Sequence, residues 1–220
     1  MNSKHCLVIS LTLLISFLAL AAVVSPRING SNTPIINADA SAFLYVNESH
    51  YKSLDQLMIL MTNYGREVIW TAAGILIFIF GGWTGKKTSI VMALAMIVLI
   101  PIGALAKEAI GRPRPLIPDK DFLIAADTDF AFPSGHAVIV SAGAATVLVL
   151  FRGSYRKLAV SISLAVEAAL VCFSRVYVGG HYPLDVIGGM LLGAGVAFAF
   201  IAAAKRIDQL LQPIAKALKR

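Results

Sequence analysis

The sequence has 220 residues, of which 58% are hydrophobic and only 14% charged, and its mean hydropathy is +0.78. A soluble domain holds about 45–50% apolar and about 25% charged residues. This composition excludes an ordinary soluble domain and favours a single membrane-embedded domain over residues 1–220. The formal net charge is +7. It argues for orientation in a membrane and against nucleic acid as a partner, because no basic surface with interleaved aromatic residues is visible.

Six apolar segments follow one another along the chain, each near the length of about 17–25 residues that a spanning helix needs. Because unpaired backbone polar groups are not tolerated in hydrocarbon, we expect a helix for each. The fold class is therefore predicted as all-α, a bundle of six transmembrane helices. The predicted spans lie at about 7–24, 68–83, 88–106, 136–151, 158–173 and 184–204.

The first segment has two interpretations. Lys4 and the small-residue step Ala19-Leu20-Ala21 fit a cleaved signal peptide. The apolar run is longer than such a peptide usually carries, so a retained helix is the favoured interpretation.

The polar stretch 25–53, rich in Asn, Ser and Pro, is predicted to be an outward-facing loop. Asn29 and Asn47 each begin an Asn-x-Ser sequon, which fits such a loop but often matches by chance. A short helix lying along the membrane surface is expected to follow. Its evidence is apolar residues at helical spacing, namely Leu54, Leu57, Met58 and Met61.

The distribution of basic residues predicts that both termini lie inside. On that topology eleven of the 19 Lys and Arg residues fall in inner segments and eight in outer ones. Cys6 and Cys172 then lie near opposite faces of a core roughly 30 Å thick. We expect no disulfide between them, since a disulfide needs Cα atoms within about 7 Å.

Three polar clusters interrupt the apolar segments, at 107–115, 133–136 and 174–185. The first follows the third span, the second precedes the fourth, and the third joins the fifth to the sixth. One round trip through the membrane separates the first two from the third. Counting spans therefore places all three clusters on the same side, whatever the absolute orientation.

These clusters carry side chains suited to a phosphate group. Arginine offers planar paired donors that match phosphate oxygens, and lysine adds a point charge. Ser134 can cap the fourth span and Pro183 suits the first turn of the sixth, so two helix N-termini can aim amides at the anion. The predicted phosphate-binding groups are Lys107, Arg114, Ser134, Gly135 and Arg175.

The two histidines of these clusters take different predicted roles. His181 and Asp185 stand four residues apart, so the carboxylate can accept a hydrogen bond from one ring nitrogen and leave the other free to attack. Asp185 would then stabilise the positive ring, as a triad acid does. His136, from another loop, can protonate the leaving oxygen and later activate water.

Four carboxylates share the outer loop with the basic residues. They match no metal-binding loop, and a solvated acidic face is the favoured interpretation. The chemistry requires no metal, because the cations already supply the charge neutralisation. The four are Asp119, Asp121, Asp127 and Asp129.

In their order and spacing, the three clusters resemble the three-part signature of the type 2 phosphatidic acid phosphatase superfamily. The signature covers residues 107–185, and the layout of spans extends the similarity over most of the chain. The matching residues are Lys107 with Arg114-Pro115, then Pro133-Ser134-Gly135-His136, then Ser174-Arg175 with His181 and Asp185.

The resemblance implies a phosphatase that needs neither metal nor cofactor and forms a phosphohistidine on His181. His136 would be its acid and Asp185 its orienting partner, and the substrates would be lipids. Arg112-Pro113 repeats the arginine-proline step, but the spacing favours Arg114 and leaves Arg112 as a possible support.

We therefore expect a membrane lipid phosphatase whose pocket opens to the outer face, where a lipid's phosphate lies. A polyprenyl diphosphate is the favoured substrate, because the small six-span chain resembles lipid-carrier recycling enzymes. Phosphatidate or phosphatidylglycerol phosphate comes second. Vanadate-dependent haloperoxidases are similar in these motifs but are soluble. A non-enzymatic lipid-binding or transport protein would need the cations but not a nucleophile with its orienting acid.

Residues inside the last two spans need separate explanations. Glu167 falls in the fifth span, where an ionisable group is costly and often functional. A protonated side chain hydrogen-bonded to a neighbouring helix is favoured, and a role in substrate binding is the alternative. Gly179-Gly180 predicts a turn. Close helix packing is predicted for the glycines of the sixth span, Gly188, Gly189, Gly193 and Gly195.

Overall fold

A computed structural model of the protein describes residues 2–30, 32–48, 50–116, 123–124 and 127–217, the last eight of these by backbone alone. Helices dominate these residues, and no strand occurs among them. The α-helices are α1 (Ser3–Val24), α2 (Pro26–Asn29), α3 (Pro34–Asn47), α4 (Lys52–Leu60), α5 (Trp70–Phe80), α6 (Gly82–Ile110), α7 (Gly135–Leu150), α8 (Tyr155–Tyr177) and α9 (Pro183–Ala217). A π-helix, Met61–Ile69, joins α4 to α5. The predicted all-α class is confirmed.

The predicted count of six spans is not confirmed. Four described helices are long and apolar enough to cross a membrane, namely α1, α6, α8 and the part of α9 from Pro183 to Gln209. The other two predicted spans correspond to α5 and α7, which have 11 and 16 residues. As separate α-helices, both are shorter than the length of about 17–25 residues that a spanning helix needs, although α5 continues the preceding π-helix without a break.

The polar stretch 25–53 was predicted to be a loop, and this prediction was wrong. It contains α2 and α3. The hydroxyl of Thr33 accepts a hydrogen bond from the amide of Ile36, and Pro34 occupies the first turn, which together start α3. The inward face of α3 buries Phe43 and Asp39. The start signals were present in the sequence, but the polar composition of the stretch hid the helix.

The predicted surface helix exists as α4, but it is not a separate short element. It runs directly into the π-helix and then α5. Leu54 and Leu57 are exposed, whereas Met58 is buried against Tyr177 and Val178 at the end of α8. This contact ties the first outer segment to the end of α8.

Helix α1 packs along α9. The hydroxyls of Ser3 and Ser10 donate to the carbonyl oxygens of Ala202 and Gly195 at 2.8 and 2.7 Å, and Cys6 is buried in a shared apolar cluster. Cys6 and Cys172 are both buried free thiols.

Helices α7 and α9 lie in direct contact because α9 carries glycines where the two cross. A Cβ on Gly193 would come within 2.1 Å of the carbonyl oxygen of Val138, and one on Gly189 within 2.6 Å of that of Ser134. The prediction of close helix packing is confirmed. The contact brings the N-terminal ends of α7 and α9 together, and these ends carry two of the three polar clusters.

Candidate active site

The structure brings all three polar clusters together at one end of the bundle. Arg114, in the loop after α6, donates to the carbonyl oxygen of Gly180 at 2.7 Å and lies 3.2 Å from Nε2 of His181. The amide of Ser134, before α7, donates to the carbonyl oxygen of Asp185 in α9 at 3.0 Å. The turn before His181 is made by Gly179, whose φ of 88° is a conformation that favours glycine, so the predicted turn is confirmed.

Two carboxylates neutralise the three predicted phosphate-binding cations. Asp129 binds both Lys107 and Arg114, and Asp127 binds Arg114 at 2.9 Å and Arg175 at 2.8 Å. Both carboxylate side chains are about half exposed, so they remain solvated as predicted, but they also pair with cations of the site, which the prediction did not include. Asp119 and Asp121, the other two carboxylates of that prediction, lie outside the described residues.

Asp129 shows how strong this cationic environment is. Partial burial by itself raises the pKa of its carboxyl, but hydrogen bonds from Lys107 and Arg114 outweigh burial and lower the pKa to about 2. A carboxylate that binds several basic groups marks a place where a phosphate can bind, since both are oxyanions.

His181 is almost completely buried, with a relative accessibility of 1%. Burial lowers its pKa well below the usual 6.5, and the cations Arg175 and Arg114 lower it further. Because a guanidinium can only donate, the contact with Arg114 makes Nε2 an acceptor and leaves the ring proton on Nδ1. The ring is therefore neutral, and its unprotonated nitrogen faces the cations.

The predicted hydrogen bond between His181 and Asp185 is absent from the structure. Nδ1 of His181 lies 3.7 Å from Oδ2 of Asp185 and has no hydrogen-bond partner. The oxygens of Asp185 are taken by other donors. Oδ1 accepts from Arg112 at 2.6 Å, and Oδ2 accepts from the amide of Tyr182 at 2.9 Å. The carboxylate of Asp185 still faces the protonated Nδ1 of the ring. A small movement of either side chain would bring the two atoms within hydrogen-bond distance.

Arg112 has a larger part than the sequence suggested. The residue is 4% exposed, and its guanidinium binds Asp185 and Asp39, each at 2.6 Å, while it stacks over the ring of Tyr182. Asp39 also accepts from the amide of Leu184 at 2.9 Å. Burial opposes the charge on Arg112, but the two carboxylates outweigh burial and raise its pKa. Burial raises the pKa of Asp39, against the effect of Arg112.

Asp39 was not among the site residues predicted from the sequence. The repeated arginine-proline step drew attention to Arg112, but nothing comparable marked Asp39. Its position on the buried face of α3, with Phe43 and Asn47, becomes visible only once the helix is known.

Ser134 occupies the N-cap position of α7, but its hydroxyl does not cap the helix. The predicted cap is therefore wrong. Its Oγ is buried without a hydrogen-bond partner, as is Nε of Arg175. Buried polar groups are normally hydrogen-bonded, so these two atoms are available to a ligand. Pro183 begins α9, as predicted.

His136 lies in the first turn of α7, with its Nδ1 3.5 Å from the guanidinium of Arg66 in the π-helix. Beside it is a cavity of about 1100 Å³, walled mainly by apolar side chains of α5, α6 and α7. Lys107, Pro133 and Gly135 of the polar clusters line the cavity together with Arg66. One continuous space therefore joins the cationic centre to an apolar chamber.

The indole N–H of Trp70 in the neighbouring α5 acts as a hydrogen-bond donor toward the carboxyl of Glu167, as the prediction of a contact with a neighbouring helix requires. The geometry of this contact is too loose for a regular hydrogen bond, so neither buried carboxyl oxygen has a regular partner. The side chain packs beside Trp70 and against the open Cα position of Gly65. It is absent from the residues that line the cavity. Packing against Gly65 of the π-helix and the polar contact with Trp70 together explain its position.

Metal chemistry has no support from the described side chains. No three or more His, Cys, Asp or Glu side chains among them are grouped so as to hold a metal ion. The anion-binding charge in this site comes from Lys and Arg.

Residues 87–208 match the family model of the PAP2 superfamily. An undecaprenyl-diphosphatase from Sulfolobus acidocaldarius is 34% identical over 184 residues, covering 80% of this chain and 86% of that protein. Undecaprenyl-diphosphatase BcrC from Bacillus subtilis is 31% identical over 167 residues, covering 75% and 81%.

Among solved structures, a transmembrane PAP2 type phosphatidylglycerolphosphate phosphatase from Bacillus subtilis matches with a TM-score of 0.65 and 25% identity, over 92% of this chain and 97% of that one. The apolar helices and these relatives make the protein a multi-pass membrane protein. The chain belongs to the PAP2 superfamily of phosphatases.

Proposed function

We propose that this protein hydrolyses a polyprenyl diphosphate to the polyprenyl monophosphate and phosphate, through a phosphohistidine on His181. One observation carries the proposal. Two buried donors without partners, Ser134 Oγ and Arg175 Nε, lie in the same cationic centre as the neutral ring of His181. A phosphoryl group would satisfy both donors and replace the carboxylates of Asp127 and Asp129.

The chemistry follows from the roles of these groups. Lys107, Arg114 and Arg175, with Ser134 and the amide of Gly135, hold the terminal phosphoryl group and neutralise the charge that develops on it. Nε2 of His181 forms a bond to phosphorus while the bond to the bridging oxygen breaks. His136, which takes up a proton when the anionic diphosphate binds beside it, supplies that proton to the bridging oxygen.

The second step returns the enzyme to its starting state. His136, now unprotonated, takes a proton from water, and the resulting hydroxide attacks phosphorus and breaks the bond to His181. Phosphate leaves. Asp185 faces the protonated Nδ1 and stabilises the positive ring of the intermediate. No metal is needed in either step, because the cations supply the charge.

The apolar cavity favours a long hydrocarbon substrate. A volume of about 1100 Å³ lined by α5 and α6 suits a polyprenyl chain that enters from the bilayer while its diphosphate reaches the cations. The names of the Sulfolobus acidocaldarius and Bacillus subtilis relatives support a polyprenyl diphosphate. The phosphatidylglycerolphosphate phosphatase supports the second candidate, a glycerophospholipid phosphate.

The proposed orientation places both termini inside and the active site at the outer face. The excess of Lys and Arg in the inner segments supports it. A cysteine introduced by Ser154→Cys, between α7 and α8, should react with an impermeant maleimide only after cells are permeabilised. Labelling in intact cells would reverse the orientation.

The reaction is tested with full-length protein in detergent and a chelator. Phosphate release from polyprenyl diphosphate and from phosphatidate is measured for wild type, His181→Ala and the control His5→Ala, an exposed histidine in α1. We expect chelator-resistant turnover, at least about 1000-fold lower in His181→Ala only. Labelled substrate and a rapid alkaline quench should show the label on His181. Ongoing hydrolysis with no labelled histidine would overturn the mechanism.

A further inference from the structure

We propose that Arg66 binds the second phosphate of the diphosphate, the one attached to the hydrocarbon chain, and thereby selects diphosphates over monophosphates. This inference rests on the proposed function. Neither the three polar clusters nor the family match at residues 87–208 includes Arg66.

Packing on two sides holds Arg66 in place. It belongs to the π-helix Met61–Ile69, a form that often occurs at functional sites. On one side a Cβ at Gly65 would lie 2.3 Å from the side chain of Val171 in α8. On the other a Cβ at Gly143 in α7 would lie 2.2 Å from the ring of Trp70, just after the π-helix. The π-helix is thus fixed between α7 and α8.

The guanidinium of Arg66 faces the start of α7. One of its nitrogens lies 3.5 Å from Nδ1 of His136 and would lie 3.7 Å from a Cβ at Gly135. Arg66 and Lys107 both line the apolar cavity, whereas Arg114 and Arg175 do not. Lys107 shares the carboxylate of Asp129 with Arg114 and so belongs to the cations of the buried centre, whereas Arg66 does not contact Asp129. From the buried centre outward, the order is the cations around His181, then His136 with Arg66, then the hydrocarbon chamber.

This order matches the order of groups in the substrate. His136 is the proposed proton donor to the oxygen that bridges the two phosphorus atoms. The second phosphorus is bonded to that oxygen, so it must lie beside His136, on the side toward the hydrocarbon chain. Arg66 is the arginine in contact with His136 at the cavity, and its planar paired donors suit a phosphate.

The charge change in the reaction explains why this cation discriminates. When the bridging bond breaks, a diphosphate releases a charged phosphate monoester, whereas a phospholipid monophosphate releases a neutral alcohol. Only the charged phosphate monoester is stabilised by the positive charge of Arg66. In the structure Arg66 pairs with Glu67, and their side chains are 33% and 51% exposed. An ion pair at such exposure stabilises little, so exchange for a phosphate is easy.

The test compares wild type with Arg66→Ala, Arg66→Lys and the control Arg156→Ala, an exposed arginine at the start of α8. The value of kcat/KM is measured for a polyprenyl diphosphate and for the monophosphate of the same chain length. We expect Arg66→Ala to lose about tenfold or more on the diphosphate and less than about threefold on the monophosphate. Arg66→Lys should fall between, and Arg156→Ala should match wild type. Equal losses on both substrates, or no loss on the diphosphate, would overturn the proposal.

A binding measurement separates this inference from the proposed function. Inhibition by inorganic pyrophosphate and by inorganic phosphate is measured on phosphatidate hydrolysis. In Arg66→Ala the inhibition constant for pyrophosphate should rise about tenfold or more, with that for phosphate almost unchanged. If the wild-type protein does not hydrolyse polyprenyl diphosphate, the proposed function is wrong. If the inhibition constant for pyrophosphate is unchanged in Arg66→Ala, the proposed role of Arg66 is wrong.

Discussion

Asp39 in α3 and Asp185 in α9 bind the same guanidinium, that of Arg112, each at 2.6 Å. All three side chains are at most 5% exposed. Asp39 lies outside residues 87–208, which match the family. Through Arg112, Asp39 in the N-terminal part of the chain therefore fixes Asp185, whose carboxylate faces the reacting His181. This makes Arg112 and Asp39 positioning residues.

We predict that Asp39→Asn lowers kcat about tenfold and leaves KM nearly unchanged. The amide keeps the shape and one acceptor for Leu184, but Arg112 loses half of its charge balance and no longer holds Asp185 rigidly. Steady-state kinetics with polyprenyl diphosphate measure the effect. Glu48→Gln, an exposed position just after α3, is the control and should behave as wild type. A rise in KM at constant kcat would contradict a positioning role.

We predict that removing the carboxylates that neutralise the cations tightens anion binding. Asp127→Asn with Asp129→Asn should lower the inhibition constant of inorganic phosphate up to about fivefold, because partly exposed ion pairs contribute about 0–1 kcal/mol. Since the pKa of Asp129 is lowered to about 2, this carboxylate is ionised throughout the working range. The part of the gain that comes from Asp129, measured in the single variant Asp129→Asn, should therefore be the same at pH 5 and pH 8 once phosphate's own ionisation is corrected. Weaker phosphate binding in the double variant would contradict this view.

We predict a pH-dependent stability that comes from His181. Burial and neighbouring cations lower its pKa in the folded state well below the usual 6.5. The unfolded state then binds the extra proton first, so the contribution is present above about pH 6.5 and is lost as the pH falls toward the folded pKa. Thermal unfolding of wild type should lose more stability between pH 7 and pH 5 than that of His181→Asn. Parallel losses in the two proteins would remove His181 as the cause.

We predict that filling the apolar cavity shortens the preferred hydrocarbon chain. Gly103 lines the cavity from α6, and a Cβ there meets no atom within 4 Å. Gly103→Leu should fold normally, because leucine favours a helix more than glycine by close to 1 kcal/mol. It should raise KM for a long polyprenyl diphosphate several-fold and leave a three-isoprene diphosphate unaffected. Equal effects on long and short chains would show that the chain binds elsewhere.

The site could be outlined from the sequence because local features carry most of the information. Long apolar runs must be helices in lipid, and counting them places 107–115, 133–136 and 174–185 on one side. The glycines of α9 indicated close packing, and the structure shows it at Gly189 and Gly193. These inferences need only composition, order and spacing.

Which side chains of the site bind one another could not be predicted from composition, order and spacing. Arg112 and Arg114 stand two residues apart in the same loop, yet one binds Asp39 and Asp185 while the other lies against His181. Ser134 was predicted to cap α7, but its hydroxyl is buried without a partner. Which donor meets which acceptor depends on the relative position of several helices, and that is a long-range property.

Apolar patterning thus dictates the helices, and chain order dictates which ends of the helices share a face, because burial of apolar surface and backbone hydrogen bonding are local requirements. The ion pairs of Arg112, the neutralising carboxylates Asp127 and Asp129, and the approach of Arg66 to His136 were decided only when the helices packed. Charged groups far apart in the chain then compete for one another at short range, and the outcome depends on distances of a few ångströms that no sequence spacing encodes.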